Sequence, residues 1–124
     1  MDKQKILIVE DDTSLGELLT VRLVKEGFIT ELAIDGENAI ESFRKEKPAL
    51  ILLDIILPGI DGFEVLKQVR EDPNLKKIPV LILSNLEQKD DIQRGLSLGA
   101  QKFLIKASLD LDGIIENVKT ALGK

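Results

Sequence analysis

The stretch that decides the fold is ALILLDIILPGIDGFEVL, Ala49 to Leu66. An unbroken apolar run leads up to Asp54, and three more apolar residues follow it before Pro58-Gly59 breaks the pattern. A short, wholly apolar run of this kind is the signature of a strand buried on both faces, as in a parallel sheet. A lone carboxylate inside it is costly. Buried and unpaired, it would be driven towards its neutral form or would destabilise the chain. The carboxylate therefore needs company, and the rest of the sequence must supply it.

Apolar segments alternate with helical periodicity along the whole chain. KILIV (Lys5–Val9) reads as a buried strand, followed by the acids Glu10, Asp11 and Asp12. Ser14 with Glu17 three residues on reads as a capping box, opening a helix with Leu15, Leu18, Leu19 and Leu23 on one face and Gly27 at its stop. FITELAI (Phe28–Ile34) alternates and so reads as a strand nearer an edge. Asp35–Lys47 is a second helix ended by Pro48, and ALILLD (Ala49–Asp54) is the central strand. Asp61 and Glu64 form a further capping box for a helix through Arg70. Pro79 introduces VLILS (Val80–Ser84), a weaker helix runs over Gln88–Leu98 to Gly99, and KFLIK (Lys102–Lys106) is the fifth strand. Leu111, Ile114, Ile115, Val118 and Leu122 stripe the last helix.

Strand-then-helix units of this kind predict an α/β fold: a five-stranded parallel sheet, doubly wound, with five helices. The 124 residues, with no linker or repeat, predict one domain over 1–124. Hydrophobic residues make up 44% and charged residues 31%, an ordinary globular balance. No cysteine and no histidine are present, which excludes disulfides, thiolate chemistry, the usual general base and the commonest metal ligands. Any metal must be held by oxygen. A net charge of −5 argues against direct nucleic-acid binding by this chain. No apolar run reaches membrane-spanning length, and the apolar core near the N-terminus is too short for a signal peptide, so the cytoplasm is the expected location.

Sites in open parallel sheets form beyond the carboxyl ends of the strands, at the switch point of strand order. With the order 2-1-3-4-5, the acids after strand one meet Asp54 after strand three, and Ser84 and Lys106 follow along the same edge. Taken singly, each has a plain structural reading: a solvated acidic turn, a buried hydroxyl, a lysine reaching for water. Their coincidence at one edge argues for chemistry. Clustered carboxylates need a cation, and magnesium takes oxygen ligands while leaving positions for a phosphate; manganese suits the same donors. An aspartate can act as a nucleophile and form an acyl phosphate. An ammonium and a hydroxyl suit phosphoryl oxygens.

The pieces ILIVEDD, DIILPGIDG, VLILSN and GAQKFLIK, in this order and spacing, resemble the receiver domains of two-component response regulators over nearly the whole chain. The resemblance implies a flavodoxin-like fold and a phospho-accepting signalling domain rather than an enzyme. It implies Asp54 as phosphoacceptor, Glu10, Asp11, Asp54 and the backbone carbonyl of Ile56 as magnesium ligands, and Lys106 and Ser84 as partners of the phosphoryl group. Ser84 and Phe103 would form the switch to the surface of helix four, strand five and helix five. A sensor histidine kinase or phosphotransfer protein would be the donor, with an unnamed downstream target. Several positions depart from the pattern. Lys106 is followed by Ala107, where many receivers carry a proline after a cis bond, so this loop is either strained or built differently. Asn85 replaces a small residue. Ile56 and Leu86, at positions that tune hydrolysis in the family, are apolar and cannot orient a water, which implies a long-lived phosphorylated state. GAQKF lacks the acidic pair that many DNA-binding regulators use to dimerise. Two rivals differ in kind. An aspartyl-phosphate phosphatase needs a second acid where Ile56 stands, and a flavin- or nucleotide-binding module needs a glycine-rich loop where EDDTSLG stands.

Overall fold

The computed structural model describes residues 3–124. Its strands β1 (Lys5–Val9), β2 (Ile29–Ala33), β3 (Leu50–Leu53), β4 (Val80–Ser84) and β5 (Lys102–Ile105) form one parallel sheet in the order β2-β1-β3-β4-β5. The helices are α1 (Thr13–Lys25), α2 (Gly36–Lys45), α3 (Gly62–Glu71), α4 (Lys89–Ser97) and α5 (Leu111–Ala121). This is the doubly wound, flavodoxin-like arrangement expected from the sequence.

Alternation along the central strands feeds two cores. Leu50 and Leu52 of β3 point to the layer that also holds Leu19, Leu23, Ile114, Ile115 and Val118 of α1 and α5. Ile51 and Leu53 point to the opposite layer, with Phe43 of α2 and Phe63, Val65, Leu66 and Val69 of α3. Every residue of β3 and β4 is buried, which is why those strands read as continuous apolar runs. Burying one such Leu or Ile side chain contributes roughly 1.5–3 kcal/mol. By contrast β2 alternates exposed and partly buried positions, as an edge strand should.

Some boundaries differ from the sequence reading, each for a local reason. The cap of α1 is Asp12, whose carboxylate accepts the Leu15 N–H at 3.2 Å; Ser14 lies inside the helix. A charged acceptor at the positive end of a helix outweighs a hydroxyl two residues later. The second helix ends at Lys45, with Glu46 already extended, one residue ahead of Lys47, whose helical backbone Pro48 disfavours. Asp61 caps α3 as expected, accepting the Glu64 N–H at 3.0 Å. The fifth strand stops at Ile105, and Lys106–Ser108 form a 3₁₀ turn. No cis peptide bond occurs among the described residues. The loop after Lys106 is thus built differently, as a 3₁₀ turn with a trans bond before Ala107.

A connection absent from the sequence reading is made by Arg70. Its guanidinium donates to the Gly99 carbonyl at 3.1 and 2.7 Å, to Ile78 at 2.8 Å and to Lys76 at 3.2 Å. One side chain thereby ties the end of α3 to the segment before β4 and to the turn before β5.

Candidate functional site

Sheet hydrogen bonding continues one residue beyond two strands and so places two acids. The Glu10 N–H donates to the Ala33 carbonyl at 2.9 Å, and the Asp54 N–H donates to the Val9 carbonyl at 2.9 Å. Both side chains are buried, at 2% and 4% exposure. Asp11 is exposed beside them. One carboxylate oxygen from each of Glu10, Asp11 and Asp54 lies within 4.8 Å of the others. These hard oxygen donors, two of them at fixed backbone positions, suit a magnesium-type cation.

Register brings up the remaining residues. Leu53 pairs with Ile82, so Ser84 lies one step further along the edge than Asp54. Ser84 in turn pairs with Ile105, and Lys106 follows directly. The Lys106 ammonium sits 2.7 Å from Asp54 Oδ2 and 2.8 Å from Glu10 Oε1. The two buried acids thus share one cation. Ser84 is fully buried, and its hydroxyl oxygen accepts the Leu86 N–H at 3.4 Å. The Ile56 N–H donates to Asp54 Oδ1 at 3.2 Å, while the Ile56 side chain is 56% exposed beside the site. Phe103 is partly buried, register-paired with Ile82 and packed on the α2–α4 side of the sheet. All the residues expected from the sequence therefore gather at one sheet edge, except that Phe103 stands behind the carboxylates rather than among them. The groove between α2 and α3, lined by Ile40, Arg44, Ile60 and Gln68, includes none of them.

Burial pushes the Glu10 carboxyl up from its ordinary 4.5 to about 7; the Lys106 hydrogen bond opposes this and the Asp54 charge adds to it. Burial alone would lower the Lys106 ammonium, yet its hydrogen bonds to Asp54 and Glu10 prevail and hold it above 10.5. Between pH 4.5 and 7 the folded chain binds more proton at Glu10 than the unfolded chain does. The Glu10 contribution to stability therefore falls as pH rises through that window. The Lys106 contribution is present throughout it and is lost only above 10.5. Glu31 is lowered by its Lys5 hydrogen bond, so its contribution disappears below 4.5, outside the window. Denaturant titrations from pH 4.5 to 7.5 should show the fall in the native chain and a flatter profile in Glu10→Gln. Identical slopes would refute this assignment.

Two residues of the site were not legible in the sequence. A Cβ on Gly62 would lie 2.3 Å from the Asp54 carbonyl oxygen and 2.6 Å from Ile55 Cα, so α3 begins pressed against the Asp54 backbone. Glu37 of α2 accepts the Ile60 N–H at 2.8 Å, and so fixes the loop that follows Asp54. The first was signalled only by the glycine in DIILPGIDG; the second carries no local signal.

Known proteins share this fold and sequence pattern. The response regulator receiver domain family matches residues 6–119. The DNA-binding response regulator MtrA of Mycobacterium tuberculosis is 38% identical over 104 residues, covering 84% of this chain and 44% of MtrA. A two-component response regulator of Clostridium difficile superposes with a TM-score of 0.89 at 30% identity, covering 98% of both chains. The phosphorylated cyanobacterial phytochrome response regulator RcpA superposes with a TM-score of 0.83 at 34% identity, covering 96% of this chain and 91% of that one. The chain spans 40% to 45% of the length of curated relatives such as a Guillardia theta transcriptional regulator and MtrA. Family match, relatives and fold agree: the chain belongs to the response regulator receiver domains, signalling domains of two-component systems.

Proposed function

We propose that residues 1–124 act as a single receiver domain that accepts a phosphoryl group on Asp54 from a sensor histidine kinase or phosphotransfer protein. The observation that carries this reading is the Lys106 ammonium bridging Asp54 and Glu10, with Asp11 alongside. An Asp54 carboxylate oxygen attacks the phosphorus of the donor. A P–O bond forms, the P–N bond to the donor histidine breaks, and its electron pair stays with the imidazole. Lys106 and the Ser84 hydroxyl would meet the phosphoryl oxygens once the group is in position. Glu10, Asp11, Asp54 and the Ile56 carbonyl would hold magnesium, which when bound would supply charge neutralisation for the transferring group; manganese fits the same donors. The chain assists its own phosphorylation without turning over a substrate, and in that sense is not an enzyme.

The signal would pass through Ser84 and Phe103 to α4, β5 and α5 as a shift between two populations. Phe103 has no hydroxyl, so it acts by packing alone. Direct nucleic-acid contact by this chain is disfavoured by its charge of −5. None of the described helices is long and apolar enough to cross a membrane.

Intact-mass spectrometry after acetyl phosphate with magnesium tests the assignment. In this reaction the P–O bond to acetate breaks instead, and one phosphoryl group should add to each chain. The adduct should map to Asp54 and vanish when a chelator replaces magnesium. Labelling indifferent to the chelator would reject the metal-assisted reading.

The lifetime of the adduct is a separate expectation. Neither the Ile56 side chain, standing exposed beside Asp54, nor that of the partly buried Leu86 carries a polar atom to hold an attacking water. After removal of donor, the phosphorylated chain should persist for minutes or longer, and Ile56→Asn should shorten that time. Loss within seconds from the native chain would contradict it.

A further inference from the structure

Between β3 and α3 the chain runs without regular structure from Asp54 to Asp61. Ile56, whose backbone carbonyl would join the magnesium donors, lies in this segment. The buried Ile55 side chain anchors the segment at its start, and the Gly62 N–H, donating to the Ile55 carbonyl at 2.9 Å, holds the same point. From Ile56 to Ile60 no side chain is fully buried. The course of the chain there depends on what grips it from outside.

That grip comes from the start of α2. Glu37, in the first turn, accepts the Ile60 N–H at 2.8 Å through Oε1. Both oxygens of its carboxylate lie close to Gly59, where a Cβ would meet them at 2.7 Å. Gly59 turns the chain at a φ of 73°, a conformation that favours glycine. Gly36 presses on Ile60 from the other end, since a Cβ there would lie 2.5 Å from the Ile60 carbonyl oxygen. Ile60 is thus held at its N–H and at its carbonyl, and two glycines make room for the hold. An acid in a first turn ordinarily serves the positive end of its own helix. That duty requires no partner 23 positions away. Glu37 is not among the acids whose oxygens gather at the cation site, so its influence there travels through the loop.

We propose that Glu37 is a positioning residue for the phosphoacceptor site. By fixing the Ile60 N–H it sets the course of the segment back to Ile56, and so the place from which the Ile56 carbonyl meets the cation. Groups that orient a metal's ligands without touching the metal commonly change its affinity by about tenfold or more when removed. The proposal rests on the roles given to Ile56 and Asp54 under the proposed function; the hold on Ile60 does not.

Calorimetric titration of magnesium into the unphosphorylated chain tests it, with Glu37→Ala and Glu37→Gln beside the native protein. Alanine removes charge and acceptor together, whereas glutamine removes the charge and keeps an oxygen for the Ile60 N–H. The magnesium dissociation constant should rise about tenfold in Glu37→Ala and stay within about twofold of native in Glu37→Gln. An unchanged constant in Glu37→Ala would overturn the proposal. So would an equal rise in both variants, which would assign the effect to charge alone. Labelling by acetyl phosphate gives a second reading. Glu37→Ala should need correspondingly more magnesium for half its maximal rate, yet reach the native rate at saturation. A lowered rate at saturation with native magnesium dependence would also overturn the proposal. A native chain that binds magnesium but takes no phosphate would reject Asp54 as acceptor and leave the calorimetric comparison to decide on Glu37. A native chain that binds no magnesium would overturn the metal reading and the proposal together.

Discussion

Asp54→Ala is expected to take up no phosphate from acetyl phosphate and magnesium while remaining folded and melting no lower than the native chain. The two halves of this result have different causes. Loss of labelling follows from removing the nucleophile, since Glu10 is tied to Lys106 and to the Asp12 N–H and Asp11 lies at the exposed rim. Retention of stability follows from the electrostatics. In the native site two buried carboxylates share a single ammonium, at 2.7 and 2.8 Å. Removing one of them relieves like-charge repulsion and leaves the other still paired. The Ile56 N–H loses its acceptor, a small cost beside the relief, because Ile56 is exposed and water can replace the carboxylate. Intact mass and a thermal melt on the same sample read both halves. Labelling equal to that of the native chain would reject Asp54 as acceptor. A large drop in melting temperature would show that Asp54 is structurally required.

Gly62→Ala should damage the chain despite adding only one methyl group. The new Cβ would lie 2.3 Å from the Asp54 carbonyl oxygen and 2.6 Å from Ile55 Cα. Both are backbone atoms, so neither can step aside by changing rotamer. Either α3 lifts away, breaking the 2.9 Å bond from the Gly62 N–H to the Ile55 carbonyl, or Asp54 moves. Overpacking typically costs about 1–3 kcal/mol, and contact with backbone puts this case at about 3 kcal/mol or above. Equilibrium denaturation gives that figure directly. Labelling per folded chain should also fall, since the carboxylate no longer faces Lys106. A variant as stable and as reactive as the native chain would mean that α3 can shift at little cost. Gly27, by comparison, has a positive φ of 97° with nothing within 4 Å of a Cβ; there the cost of alanine comes from backbone conformation alone.

The sheet and its order were legible because the chain writes them in the strongest available signal, apolar runs that alternate with helical stripes. The run before Asp54 told both that the strand is central and that its carboxylate is unusual. Helix ends were less legible. Asp12, Thr13 and Ser14 can all cap, and only geometry shows that Asp12 accepts the Leu15 N–H. The grouping of Glu10, Asp11, Asp54, Ser84 and Lys106 was legible because strand order converts distance in sequence into adjacency along one edge. Contacts lacking a period were not. Arg70 reaches Gly99 across 29 positions, Arg94 finds Phe63 through helix packing, and the tight fit at Gly62 depends on how α3 approaches β3. A surface arginine or a turn glycine looks the same in sequence whether or not it holds two elements together.

The extension of sheet pairing by a single residue past β1 and β3 has a consequence for how such a chain can diverge. Glu10 and Asp54 hang from backbone bonds to Ala33 and Val9, so their positions are inherited from the most buried part of the molecule. The segments beyond the strand ends inherit no such constraint, and Ile56, Asn85 and Ala107 lie in those that follow β3, β4 and β5. Reaction chemistry and recognition are thereby written on separable parts of the chain. Exchanging the residues beyond the last rung of the sheet can retune adduct lifetime and choice of partner while the carboxylates stay where the sheet puts them.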